Sequence, residues 1–191
     1  FFESSVVVYL RELYYPGGFD FPLKPIEEHI AFTEFFRELF SLLMILSVAF
    51  LASNRFYKQF ANFLFIFAMW DIFYYVFLKV LLGWPASLLT WDILFLIPVP
   101  WTGPVITPVL ISLIMISLAL VIYRYEGKED FRISLKEWIA LIFGACIVFI
   151  AFIWDYISFF MTHASAHPEM SFFKQVKVLA ERYRPEQFNW I

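Results

Sequence analysis

Long apolar runs, separated by short polar or proline-rich segments, dominate this chain. Four of these runs reach the length of about 20 residues that a helix needs to cross a bilayer. They cover approximately residues 26–53, 56–82, 105–123 and 135–161. The pattern therefore predicts four transmembrane helices. The tight turn at Ser53-Asn54-Arg55 makes the first two antiparallel neighbours.

Local signals mark helix boundaries and one further apolar segment. Ser134-Leu135-Lys136-Glu137 is a capping box that predicts the start of the fourth span. Residues 1–15 are mostly apolar but too short to span alone, and Pro16-Gly17-Gly18 ends any helix there. We interpret this segment as the end of a fifth transmembrane helix, truncated at the N-terminus, with an interfacial segment as the alternative. Because the chain begins with Phe1 rather than Met, we expect it to begin inside a longer precursor.

Residues 83–108 differ from the rest of the chain because they contain five prolines and three tryptophans. Repeated prolines forbid a continuous helix, and tryptophan is enriched at membrane interfaces. We therefore predict a Pro/Trp-rich re-entrant or interfacial loop, in which residues 87–97 are either a short helix or a re-entrant piece. The tail, residues 168–191, contains an amphipathic basic stretch from Met170 to Tyr183, which predicts a helix lying on the membrane surface.

Composition supports a membrane protein. The chain is 62% hydrophobic and 16% charged, and 191 residues form too small a core to hide that much apolar surface, so the lipid bilayer must cover the remainder. The predicted fold class is an all-α integral membrane protein: one transmembrane domain over residues 1–191, built as an antiparallel bundle of four helices. A net charge of −3 argues against a nucleic-acid partner.

The polar segments fall into two groups on opposite faces of the predicted bundle. Side A holds residues 19–24, the proline-rich loop and the C-terminal tail, and side B holds residues 54–58 and 124–136. Lysine and arginine are nearly balanced between the faces, but those on side B sit in short loops between spans, where they favour the cytoplasm. We therefore expect a multi-pass protein whose N-proximal loop and C-terminal tail lie on the non-cytoplasmic face.

Several polar residues lie inside the predicted spans. At 1.5 Å per residue, Glu38, Asp71 and Asp155 all fall about 12–16 Å from side A. Ionisable groups are costly in hydrocarbon and normally face a protein interior. We therefore predict a buried polar cluster, in which Arg37 pairs with at least one acid, made of Glu34, Arg37, Glu38, Asp71, Tyr75 and Asp155. The cluster is either structural, or a metal- or proton-handling site, or a chance set of groups facing lipid.

All three histidines, His29, His163 and His167, fall on side A. His163 and His167 are four residues apart on one helical face, a workable spacing for zinc ligands. His29 as third ligand would leave a position open for a catalytic water. The competing interpretation is that the paired histidines interact with the helix dipole or face water. A divalent metal is the cofactor that this arrangement would take.

The sequence contains no Gly-rich phosphate loop and no Gly-x-Ser-x-Gly elbow. The expected function is therefore that of a small non-catalytic subunit or scaffold of a membrane complex, with a membrane-protein partner or a second copy of itself. The alternative is a metal-dependent, zinc-type membrane enzyme acting on a lipid-like substrate at the face that carries the three histidines.

Overall fold

Six helices and a two-stranded sheet make up the described part of the chain. The structure, a computed structural model, describes residues 1–95, 99–128, 131–164, 172–185 and 188, with residues 172, 173 and 177 described by their backbone alone. In chain order the elements are α1 (Phe2–Tyr14), α2 (Glu28–Leu51), α3 (Phe56–Leu82), β1 (Trp91–Phe95), β2 (Trp101–Pro104), α4 (Ile106–Tyr125), α5 (Leu135–His163) and α6 (Phe172–Ala180).

Three helices, α3, α4 and α5, are long and apolar enough to cross a membrane, by length and composition. They correspond to the second, third and fourth spans predicted from the sequence. The first predicted span is the 24-residue helix α2. Its length suffices, but Glu34, Arg37 and Glu38 interrupt its apolar character. The total of four crossings therefore stays a prediction.

Two helix boundaries follow from local sequence. The capping box at the start of α5 is confirmed: the Ser134 N–H donates to Glu137 Oε2 at 2.6 Å, and the Glu137 N–H donates to Ser134 Oγ at 3.4 Å. At the end of α3, Gly83 adopts a left-handed conformation with φ of 67°, which glycine reaches without the steric penalty of a side chain.

Helix α3 lies between α2 and α4, and small side chains let these three helices approach closely. Ala61 of α3 and Ala119 of α4 are fully buried in one apolar cluster. Asn62 bridges all three helices: its amide donates to the Ala49 carbonyl of α2 at 3.3 Å, and its side-chain oxygen accepts from the Tyr123 hydroxyl of α4. The predicted adjacency of the first two spans is confirmed.

The prediction of an all-α fold is wrong in the Pro/Trp-rich loop, which contains a β-hairpin. Strand β1 pairs antiparallel with β2, with Trp91 opposite Pro104, Ile93 opposite Thr102 and Phe95 opposite Trp101. Residues 91–95, part of the segment expected to be a short helix or a re-entrant piece, thus form a strand. The physical reason is that prolines exclude the helical hydrogen-bond pattern, whereas cross-strand pairing satisfies backbone groups at an apolar location.

Helix α5 stands apart from the α2–α3–α4 group. Its buried residues, Phe152, Tyr156 and Phe160, all lie in its C-terminal half, where it packs against β2 and α6. Near its N-terminus, the Trp138 ring lies 5.0 Å from the Phe60 ring of α3, centroid to centroid. The four-helix bundle predicted from the sequence is therefore not confirmed: three helices pack together, and α5 joins them mainly through the hairpin.

The C-terminal segment turns its apolar side toward the protein. Leu179 of α6 and Tyr183 are each 1% exposed, in a core with Phe21, Val99, Tyr156 and Phe160 of the connecting segments and α5. The Tyr156 hydroxyl donates to the Val176 carbonyl at 2.6 Å. The expected amphipathic helix is present as the nine residues of α6, whereas residues 165–171 lie outside the described part of the chain.

Candidate functional site

The charged residues of α2 meet a partner from α1. Arg37 Nε donates to Glu34 Oε1 at 2.8 Å, and the Arg37 guanidinium also pairs with Glu3 of α1. Glu38 Oε1 lies 3.9 Å from Arg37 Nη2. The Arg37 side chain is only 19% exposed. This is the pairing with acids expected from the sequence, with Glu3 as an additional partner.

A second ion pair joins α1 to the hairpin. Arg11 Nη2 lies 3.4 Å from Asp92 Oδ1, and the two side chains are 9% and 3% exposed. The guanidinium carbon of Arg11 lies 3.7 Å from the ring centroid of Trp84, a cation–π contact. Burial raises the pKa of Asp92 to about 6, although Arg11 opposes this rise. Tyr75 of α3, a member of the predicted cluster, is buried beside Asp92.

Two further carboxylates have separate polar partners. Ser112 of α4 donates to Asp71 Oδ2 of α3 at 2.8 Å. The Tyr183 hydroxyl donates to Asp155 of α5, and the Tyr183 oxygen lies 2.9 Å from Thr102 Oγ1 of β2. Burial raises the pKa of Tyr183 above its ordinary value. Tyr183 of the tail therefore links α5 to the hairpin.

The structure does not bring the six predicted residues into one cluster. Glu34, Arg37 and Glu38 form one group with Glu3, whereas Asp155 belongs to another. The physical reason is that α5 packs on the hairpin rather than on α2. The arrangement consists of paired and hydrogen-bonded charges that tie neighbouring elements together, and it suits structural stabilisation.

Six contributing residues were missed from the sequence: Glu3, Arg11, Asp92, Thr102, Ser112 and Tyr183. For the first two a signal was available, because an isolated charge in an apolar helix needs a partner. The others lie in the proline-rich loop, α4 and the tail, and their partners are distant in sequence.

The predicted histidine site is not assembled in the described part of the chain. His29 Nδ1 lies 3.4 Å from Glu27 Oε2, and its side chain is 75% exposed. His163 Nδ1 lies 2.8 Å from the Phe159 carbonyl oxygen. His167 is outside the described residues. Within those residues no group of three His, Cys, Asp or Glu side chains could hold a metal ion, so metal binding stays a prediction.

No family model matches the chain, and neither a curated protein nor a solved structure matches it. The described chain is mostly helical, and three of its helices are long and apolar enough to cross a membrane, by length and composition. The function must therefore be inferred from the contacts within this chain rather than from a related protein.

Proposed function

We propose that the protein is a multi-pass membrane protein that acts as a small non-catalytic subunit or scaffold of a membrane complex. In this proposal α2, α3, α4 and α5 cross the bilayer, and the N-proximal loop and C-terminal tail lie on the non-cytoplasmic face. α1 is the end of the fifth span expected from the sequence.

Contacts at the two ends of the helices support four crossings. At one end, Arg55 of the α2–α3 turn pairs with Glu126 after α4 at 3.2 Å, and the Tyr57 ring lies 5.5 Å from the Phe131 ring. The segment before α2 meets the tail elsewhere, where Phe21 packs on Tyr183. Four successive crossings would place the α2–α3 turn and the segment after α4 on one side of the membrane, and the segment before α2 and the tail on the other, which agrees with these contacts. Pairing of Arg37 with acids also lowers the cost of placing α2 in lipid.

The observation that carries the scaffold proposal is the bare N-terminal half of α5. Leu135, Ile139, Ile142 and Phe143 are 58–74% exposed, and the buried residues of this 29-residue helix all lie beyond residue 150. The rest of the described chain thus leaves a long apolar helix face uncovered. A membrane-embedded partner helix is the occupant we assign to it.

On the other side of α5, away from Leu135 and Ile142, small residues offer a second surface suited to a neighbouring helix. Ala140 and Gly144 are four residues apart, the small-xxx-small spacing that lets two transmembrane helices approach closely. Apart from its two chain neighbours and the nearby backbone of α5 itself, a Cβ placed at Gly144 would meet no described atom within 4 Å. A larger side chain there would consequently leave this chain's own packing intact and obstruct only a neighbour.

That property gives a direct test. In mild detergent, we expect Gly144→Leu to shift the protein from its assembled form toward the single chain, as measured by native mass spectrometry. Cys146→Leu places the same side chain on the face of Leu135, Ile139 and Ile142, because Cys146 follows Ile142 and Ile139 by four and seven residues. Loss of the assembly in Gly144→Leu alone assigns the partner to the small-residue side of α5, and loss in Cys146→Leu alone assigns it to the apolar side. If both variants retained the same assembly as the original protein, the assigned surface on α5 would be wrong.

The zinc-type enzyme remains the competing proposal, and it has a separate test. Elemental analysis of the purified chain should find no stoichiometric metal if the protein is a scaffold. Finding one bound metal ion per chain, and losing that ion in a His163→Ala variant, would favour the zinc-type enzyme over the scaffold.

A further inference from the structure

A cavity of about 320 Å³ lies where three connecting segments of the chain meet. The α1–α2 connector contributes Phe19, Asp20 and Phe21, the start of the hairpin contributes Trp91, and the chain after α6 contributes Arg184. None of these residues belongs to a helix that could span the membrane. The volume lies within the range of about 300–1,000 Å³ typical of small-molecule sites.

Edge-to-face contacts hold the aromatic wall of this cavity in place. The Phe19 ring lies 5.4 Å from the Phe21 ring, and Phe21 lies 6.0 Å from Tyr183, each measured between centroids. On the opposite segment, Trp91 packs against Phe188 at 6.0 Å. These contacts hold the rings in place before any ligand binds, because aromatic pairs contribute stabilising free energy beyond that of burying their apolar area.

Two opposite charges line the same cavity without neutralising each other. Asp20 Oδ1 accepts the Phe21 N–H at 2.8 Å, which orients the carboxylate. Neither Asp20 nor Arg184 forms an ion pair with another residue in the described ranges. The cavity therefore presents a carboxylate, a guanidinium and aromatic rings to one occupant.

We propose that this cavity binds a zwitterionic phosphate ester, a phosphate group linked to an ammonium group as in phosphoethanolamine and phosphocholine. Arg184 contacts the phosphate, because a guanidinium offers planar, charge-assisted donors to phosphate oxygens. Asp20 contacts the ammonium group, and the rings of Phe19 and Trp91 face it, since ammonium groups are attracted to aromatic faces.

The position of the cavity makes a phospholipid headgroup the natural source of this ligand. The Phe19 ring of the cavity wall lies 6.0 Å from the ring of Trp84, which follows the C-terminal end of α3, and tryptophan is typical of the membrane–water boundary. The free phosphate ester carries the same chemistry without the acyl chains, so an experiment must separate the two sources.

Native mass spectrometry of the full chain with added phospholipids tests the proposal. We expect phosphatidylethanolamine and phosphatidylcholine to be retained about twofold to fivefold more than anionic phosphatidylglycerol, as one exposed charged contact typically provides. Soluble phosphoethanolamine should displace them if the headgroup alone supplies the binding. If it fails to displace them, the acyl chains contribute and the ligand is the intact lipid.

Single substitutions assign the two charged contacts. Arg184→Gln should reduce retention of all three lipids, whereas Asp20→Asn should abolish the preference for zwitterionic lipids over phosphatidylglycerol. Arg182→Gln, an exposed arginine on the same segment but outside the cavity, is the matched control and should change neither. Equal retention of all lipids by the original protein, or equal losses for Arg182→Gln and Arg184→Gln, would overturn the proposal.

Discussion

The ion-pair group around Arg37 allows a quantitative prediction. Substituting Arg37→Leu removes the one guanidinium that contacts Glu3, Glu34 and Glu38. Three carboxylates would then remain in a largely buried environment without their shared cation. Removing one partner of a buried pair typically costs about 3–5 kcal/mol, because the remaining charge is left without compensation.

The matched control is Arg55→Leu in the α2–α3 turn. Arg55 is 66% exposed and bonds Glu126 at 3.2 and 3.3 Å, so its pair is a surface pair worth about 0–1 kcal/mol. Lys58 lies 3.3 Å from the same carboxylate and remains as a partner. Both variants replace arginine by leucine, and only the burial of the pair differs between them.

Thermal unfolding of both variants in the same detergent measures the difference. For a chain of this size, about 3–5 kcal/mol corresponds to a fall in melting temperature of about 6–20 °C, and we expect Arg55→Leu to fall by a few degrees at most. Adding Glu34→Gln to Arg37→Leu should recover part of the loss, because it removes one uncompensated charge. Equal, small losses for both single variants would refute the buried pairing.

Three further predictions concern the other polar contacts. Because the pKa of Asp92 rises from 3.8 to about 6 on folding, the folded protein holds this proton more tightly than the unfolded chain does. The free energy of unfolding should therefore fall as the pH rises from about 4 to about 6. Asp92→Asn should flatten this pH dependence in denaturant titrations, and an unchanged pH dependence would contradict the assignment. Tyr183→Phe should cost about 1–3 kcal/mol by leaving buried polar groups unsatisfied, whereas Tyr9→Phe, at an exposed position, should cost nothing measurable in the same thermal assay. Ser112→Ala should lower the melting temperature more than Ser117→Ala on the same helix, whose hydroxyl bonds its own backbone at an exposed site; equal shifts would mean that the contact to α3 is unimportant.

The long helices could be read from the sequence because their signals are local. The span predicted over residues 56–82 coincides with α3, and the start of α5 follows from the capping box at Ser134. Uninterrupted apolar runs, a left-handed glycine and a cap each act within a few residues of the boundary that they determine. The pairing of Arg37 with Glu34, one helical turn away, was accessible for the same reason.

The β-hairpin and the pairing of the charged residues could not be predicted from such local signals. A short apolar run between prolines is compatible with a strand or with a short helix, and periodicity alone does not separate them. Arg11 and Asp92 are 81 residues apart, as are Thr102 and Tyr183. Equal depth along separate helices suggested one cluster, but depth does not specify which helices pack together, and α5 packs on the hairpin.

The mass of the native particle tests the central claim most directly. We expect native mass spectrometry of the unsubstituted protein, extracted in mild detergent, to find it together with at least one further polypeptide, either a second copy or a different membrane protein in fixed stoichiometry. A monodisperse single chain, with no bound polypeptide under the mildest extraction conditions, would contradict the proposal that this protein is a subunit or scaffold of a membrane complex.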